Sequence, residues 1–168
     1  AIDFVLHDDA GPGSAFAASV QVGDRIGMAG PGGRGLRRAE RYLFLADETG
    51  LPALARMLEN LPAGATGLAL VEIADAAERQ VLSMPGGVGL RWLHRDGAEP
   101  GSTSLLTDAL ATLDWPEGEG SLYLWAACEH AAFREIRAAA RQYLRPEIDA
   151  HLVVSYWRAG VSEEQHAA

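Results

Sequence analysis

The side chains most able to do chemistry in this sequence stand where short apolar runs stop. Asp47, Glu48 and Thr49 follow YLFLA, Asp75 and Arg79 follow LALVEI, and His94, Arg95 and Asp96 follow VGLRWL. Cys128 and Glu129 follow LYLWAA, and Tyr156, Trp157 and Arg158 close the last run. This set suits the binding of anions. The five histidines are scattered, with no HExxH and no close pair, and Cys128 is the single cysteine, so thiolate metal clusters and internal disulfides are excluded. All 14 basic residues are arginines. A P-loop lysine, a Schiff-base lysine and a lysine general base are therefore excluded together. Any anion must be held by arginine forks, backbone N–H groups or histidine. Arg79 or Arg95 suits a 2′-phosphate, and Arg158 suits an anionic ligand. Each residue also has a plainer reading. A surface arginine is usually solvated, His94 can be a packed strand-end histidine, and Glu129 before a helix favours the dipole whatever else it does.

The elements that must position these residues are readable from hydrophobic period. Strands are expected at Tyr42 to Ala46, Leu68 to Ile73, Val88 to Leu93, Leu122 to Ala126 and Leu152 to Tyr156. Helices are expected at Leu51 to Leu61, Leu105 to Leu113 and Ala131 to Leu144, with only a helical turn between Ile73 and Val88. Strand and helix in alternation imply an α/β fold, a five-stranded parallel doubly wound sheet with right-handed crossovers. Ligands of such sheets lie outside the carboxyl ends of the strands. The stretch from Tyr42 to Leu61 is the centre of this reading. Thr49 can cap the helix, Gly50 permits close backbone approach, and Pro52 is tolerated in the first turn. That junction is expected to present free N–H groups and a helix dipole to a phosphate.

Ahead of this alternation, Ile2 to Leu6 and Val20 to Ala29 read as strands. GPGS reads as a turn, with Ser14 placed to cap a short helix through Phe16 to Ala18. GPGGRG at Gly30 to Gly35 has linker composition. Residues 1–35 thus form an appended piece and residues 36–168 the main domain, within a length of 168 residues that allows one good core. A formal net charge of −9 argues against a nucleic-acid surface. No apolar run has the length of a membrane span and no signal peptide is visible, so a cytoplasmic setting fits. The chain begins AIDFVLH, inside a strand-like pattern, and reads as one entered partway.

Six segments in order resemble the siderophore-interacting proteins, flavin-dependent ferric-siderophore reductases of the ferredoxin-reductase-like superfamily. FVLHDDAGPGSAFAA with VGDRIGMAGPGG resembles the end of that family's flavin barrel, whose pattern is close to VLHG, GPxSxWA and GDxxxxxGPxG. YLFLADETGLPALARMLENLP is similar to its DETALPAI nucleotide segment. VEIADAAE, WLHRDG, a strand ending in AACE where AGE is usual, and SYWRAG where GYWRxG is usual complete the series.

The resemblance implies a reductase in which a barrel holds FAD and an α/β domain brings NAD(P)H to it, with a ferric siderophore as acceptor. Residue by residue, it places His7, Gly11, Pro12 and Ser14 on the flavin side, with Phe16 near the family's Trp position. Asp47, Glu48, Thr49 and Pro52 become nicotinamide-nucleotide contacts, as do Cys128 and Glu129. The family's RxYTxR element would lie upstream of Ile2, so the chain reads as the C-terminal part of such a reductase or a short relative. In a barrel so shortened, the N-terminal strands would present an apolar edge that favours self-association. A non-catalytic nucleotide- or chelate-binding module and a generic flavin reductase are the alternatives.

Overall fold

Each of the five apolar runs forms a strand: β1 Arg41–Ala46, β2 Thr66–Ile73, β3 Gly87–His94, β4 Leu122–Glu129 and β5 Ala150–Trp157. The computed structural model describes residues 12–27, 36–113 and 120–161. Its helices are α1 Pro12–Ser19, α2 Leu51–Glu59, α3 Leu105–Ala111 and α4 His130–Tyr143, and a 3₁₀ turn covers Ala76–Glu78. By contacts the chain separates into two compact units, Ala1–Leu36 and Arg37–Ala168.

All described strand pairs are parallel, in the order β3-β2-β1-β4-β5. The α/β sheet expected from the alternation of periods is therefore present. β1 and β4 lie at its centre and are uniformly apolar because both of their faces are covered. Crossovers leave the β1/β4 pair in opposite directions, which with right-handed connections puts α2 on one face and α3 and α4 on the other. On the α3/α4 face, Leu43, Leu45, Leu124, Ala126 and Cys128 pack with Leu106, Leu110, Ile136 and Ala140. The opposite face carries aromatics: Tyr42 stacks on Phe44, while Tyr123 and Trp125 meet them edge-on. α2 presents Leu51, Leu54 and Leu58, the helical repeat expected from the sequence.

Most element ends lie within two residues of expectation, and three features differ more. β4 runs three residues beyond Ala126, because Ala127 still pairs with Ala46 and Cys128 with Ser155. Cys128 and Glu129 are thus strand residues, and Tyr156 and Trp157 end β5. In the first unit, Ser14 lies buried inside α1 and does not cap it, since the helix already starts at Pro12. Val20–Gly27 form no strand. Asp24 Oδ2 accepts the Gln21 N–H at 2.8 Å and Gly23 has φ 106°, a local turn that competes with extended pairing. The expected strand at Ile2 to Leu6, together with His7 and Gly11, lies outside the described residues. Among the described residues no helix is long and apolar enough to cross a membrane.

Candidate functional site

The carboxyl edge of the sheet is built around Asp47, the residue immediately after β1 and only 4% exposed. Its Oδ1 accepts the Thr49 N–H at 2.9 Å and the Thr49 hydroxyl at 2.5 Å. Its Oδ2 accepts the Glu129 N–H at 2.9 Å and the Trp157 indole N–H at 2.8 Å. One carboxylate thereby ties together the ends of β1, β4 and β5 and the entry to α2. Burial pushes its carboxyl above the ordinary range, while the donated bonds act the other way.

This arrangement commits the Thr49, Gly50 and Leu51 N–H groups expected to greet a phosphate. Thr49 does not cap α2, whose N-cap is Gly50 without a side-chain bond. Gly50 N–H goes to the Asp47 carbonyl at 3.0 Å, Leu51 N–H goes to the Glu48 carbonyl at 3.3 Å, and Pro52 has none. Instead of a neutral nest, the turn carries two carboxylates. Gly50 matters for packing: a Cβ there would sit 2.6 Å from the Ala127 carbonyl oxygen. The helix start presses onto β4 at the point where the strand order reverses.

Arg95 follows β3 and is buried, 8% exposed. Its guanidinium is held by Glu48 through two bonds of 2.7 Å, with Glu72 at 3.6 Å from Nη1. Glu72 also accepts the Thr103 hydroxyl at 2.9 Å, and burial raises its carboxyl above the usual range. Arg95 therefore neutralises carboxylates of its own chain and has no free fork for a 2′-phosphate. Glu129 caps α4 through the Ala131 N–H and holds the Ala159 N–H at 3.1 Å. Cys128 points into the α3/α4 core. Burial drives its thiol well above the ordinary range, which leaves it protonated and unreactive. Between Asp47, Glu72, Arg95, Thr103, Glu129 and Trp157 a space of about 20 Å³ remains, room for a water-sized group only.

Outside this acidic floor stand two exposed arginines. Arg79 donates from Nε to His94 Nε2 at 3.0 Å, and Arg158 follows β5 at the opposite edge of the sheet. Neither makes an ion pair among the described residues. The structure thus gathers Asp47, Thr49 and Glu129 into one bonded set, pairs Glu48 with Arg95 beside it, and leaves Arg79 and Arg158 apart on the flanks. Pro52 lies in the first turn of α2, beside the network. Sequence reasoning missed Glu72, Thr103 and Gly101. Glu72 did leave a signal, because an acidic residue inside the apolar run LALVEI implies a buried partner. Thr103 and Gly101 are brought in by the loop after β3 and left none. Among the described residues no cluster of His, Cys, Asp and Glu is arranged to hold a metal.

An open parallel sheet, wound on both faces and carrying its polar residues at the carboxyl edge of a strand-order switch, is an α/β domain of the ferredoxin-reductase nucleotide-domain type. A family model described as siderophore-interacting protein matches residues 39–160, and one described as siderophore-interacting FAD-binding domain matches residues 1–35. The chain belongs to the siderophore-interacting protein family. Ferric vibriobactin reductase ViuB of Vibrio cholerae is 30% identical over 167 residues, covering 98% of this chain and 61% of that protein. The NADPH-dependent ferric-chelate reductase of Escherichia coli is 32% identical over 167 residues, covering 95% and 61%. The chain spans about three fifths of the length of these relatives. Among solved structures, a siderophore utilization protein from T. fusca superposes with a TM-score of 0.84 at 44% identity, over 98% of this chain and 62% of that one. The siderophore-interacting protein SipS from Aeromonas hydrophila gives 0.82 at 33% identity, over 98% and 66%.

Proposed function

We propose that residues 36–168 form the NAD(P)H-binding domain, and residues 1–35 the end of an FAD-binding barrel, of a cytoplasmic reductase that releases iron from ferric siderophores. Support comes from the two family matches in this order and from relatives named as ferric vibriobactin and NADPH-dependent ferric-chelate reductases. Bound flavin would accept hydride from the nicotinamide and pass single electrons to iron, chemistry that belongs to the cofactor. Of the flavin-side residues, His7 and Gly11 lie outside the described residues.

The observation that carries the division of labour is the placing of Arg79 and Arg158. They flank opposite edges of a five-stranded sheet, with four strand spacings between β3 and β5. At about 4.8 Å per spacing the two edge strands stand roughly 19 Å apart, so the two arginines meet the carboxyl edge of the sheet at different ends. We assign them to different anions. Arg79, whose Nε bonds to His94 and whose Nη groups make no ion pair among the described residues, suits the 2′-phosphate of NADPH, whereas Arg95 does not fit that group. The acidic Asp47–Glu48 turn does not fit the pyrophosphate, so the diphosphate passes outside it. Arg158 suits an anionic ferric chelate. In a chain of net charge −9 a local arginine decides whether such an acceptor can approach.

The test is reduction by NADPH of two ferric chelates, an anionic tris-catecholate and a neutral trihydroxamate, in protein supplied with FAD, with Fe(II) captured by a chromogenic chelator. Arg158→Gln should slow the anionic acceptor selectively, and the gap should narrow as salt is raised. Equal slowing of both acceptors would remove Arg158 from the acceptor side.

A further inference from the structure

We propose that Asp47 is a positioning residue for the acceptor side: through Trp157 it clasps the turn that carries Arg158. The inference rests on Arg158 being the acceptor contact, and it moves Asp47 from the nucleotide side to the opposite flank.

A turn that follows an edge strand has few tethers. Among the described strands β5 pairs only with β4, and the register slips at Cys128/Glu129, next to the strand end. The turn beyond is closed by Val161 N–H to the Arg158 carbonyl at 3.1 Å, with Gly160 at φ 74°. Left to these contacts, Arg158 would sweep a wide arc. Two buried carboxylates from other elements prevent that. Asp47 takes the Trp157 indole N–H, and Glu129 takes the Ala159 N–H, so the residues on either side of Arg158 are both anchored. The indole is an arm that spans from β5 across β4 to the end of β1. It is also covered from above, since a Cβ on Gly101 would stand 2.9 Å from Trp157 Cη2 and from Glu129 Cγ.

Asp47 makes a firm anchor because it cannot itself move. Backbone N–H groups of Thr49 and Glu129 and the Thr49 hydroxyl hold its two oxygens. The bond to the indole is charge-assisted and therefore short and directional. The guanidinium is thus presented outward while the residues before and after it are held, which reduces the entropy lost when it meets an anion.

The test is a double-mutant cycle on binding, independent of turnover. Trp157→Phe keeps the ring and removes the N–H. Dissociation constants are measured calorimetrically for the anionic ferric tris-catecholate, the neutral ferric trihydroxamate and NADPH. Trp157→Phe should weaken the anionic chelate by about five- to tenfold, the scale of one hydrogen bond, and leave the neutral chelate and NADPH unchanged. In an Arg158→Gln background it should have no further effect, because the clasp acts only through the arginine. Equal losses for both chelates, additive losses in the double mutant, or unchanged affinity in Trp157→Phe would overturn the clasp. If Arg158→Gln alone leaves anionic affinity intact, the acceptor assignment fails first and the clasp has nothing to position.

Discussion

Thr49 donates both its amide and its hydroxyl to Asp47 Oδ1, and this sets what the residue can do. Its hydroxyl hydrogen is committed to a buried carboxylate and is not available to a phosphate. Thr49→Val keeps the shape, loses that bond and leaves Asp47 with one donor fewer. The expected outcome is a loss of stability of about 1.5–3 kcal/mol in urea denaturation, the usual cost for a bond to a charged group, with NADPH affinity nearly unchanged. A fall in NADPH affinity without a fall in stability would return the hydroxyl to the ligand. Arg95 makes the same point with opposite charge. Its sequence neighbourhood, WLHRDG, suggests an anion reader, but Glu48 and Glu72 reach it first. Removing either carboxylate partner from a buried guanidinium is costly for that reason.

The strand-to-helix unit of β1 and α2 is the element most fully written in the sequence. YLFLA is uniformly apolar because its strand is buried on both faces, and the leucine repeat that follows has helical period. What the repeat does not reveal is how closely α2 approaches the sheet. That closeness depends on Gly50, whose missing Cβ leaves room for the Ala127 carbonyl and the Ala46 and Ala127 methyls. Gly50→Ala would have to displace the helix start, so an overpacking cost of about 1–3 kcal/mol is expected in thermal or chemical denaturation. A neutral result would show that α2 can slide without penalty. The end of β4 was illegible for a related reason. Ala-Cys-Glu has no strong strand signal, and it is the pairing of Ala127 with β1 and of all three residues with β5 that keeps them extended.

At the scale of the whole molecule the sheet has two edges of different character. Its carboxyl edge concentrates Asp47, Glu48, Glu72 and Glu129 around Arg95, an acidic floor with the exposed Arg79 and Arg158 at its flanks. The other edge is stapled by Asp149, which accepts the Leu122 and Arg145 N–H groups at 2.8 Å and the Arg145 side chain at 2.9 and 3.0 Å. These donors hold its pKa down to about 2, from an ordinary 3.8. Because the folded value lies below the unfolded one, the contribution is full above the unfolded value and is lost as pH falls from about 4 towards 2. Stability measured across that window should therefore drop, and Asp149→Asn should flatten this part of the profile. An unaltered acid limb in the variant would assign the drop to other carboxylates.

The sequence by itself determined the sheet, its parallel sense, the placing of polar residues at one edge and the family, because period, composition and motif order are local properties of the chain. Only the tertiary structure decided what those polar residues do. Asp47 and Trp157 are 110 positions apart, and Arg95 and Glu48 are 47 apart. No spacing rule could say that these partners would meet before any ligand did. A hydrogen-bonding group at a strand end has the same type whether it faces solvent, a ligand or a buried carboxylate, and the choice among the three is made by which strands lie side by side. The order β3-β2-β1-β4-β5 sets β1 next to β4 and β4 next to β5, and so turns the strand-end residues Asp47, Thr49, Glu129 and Trp157 into one bonded network, with an exposed arginine on each flank.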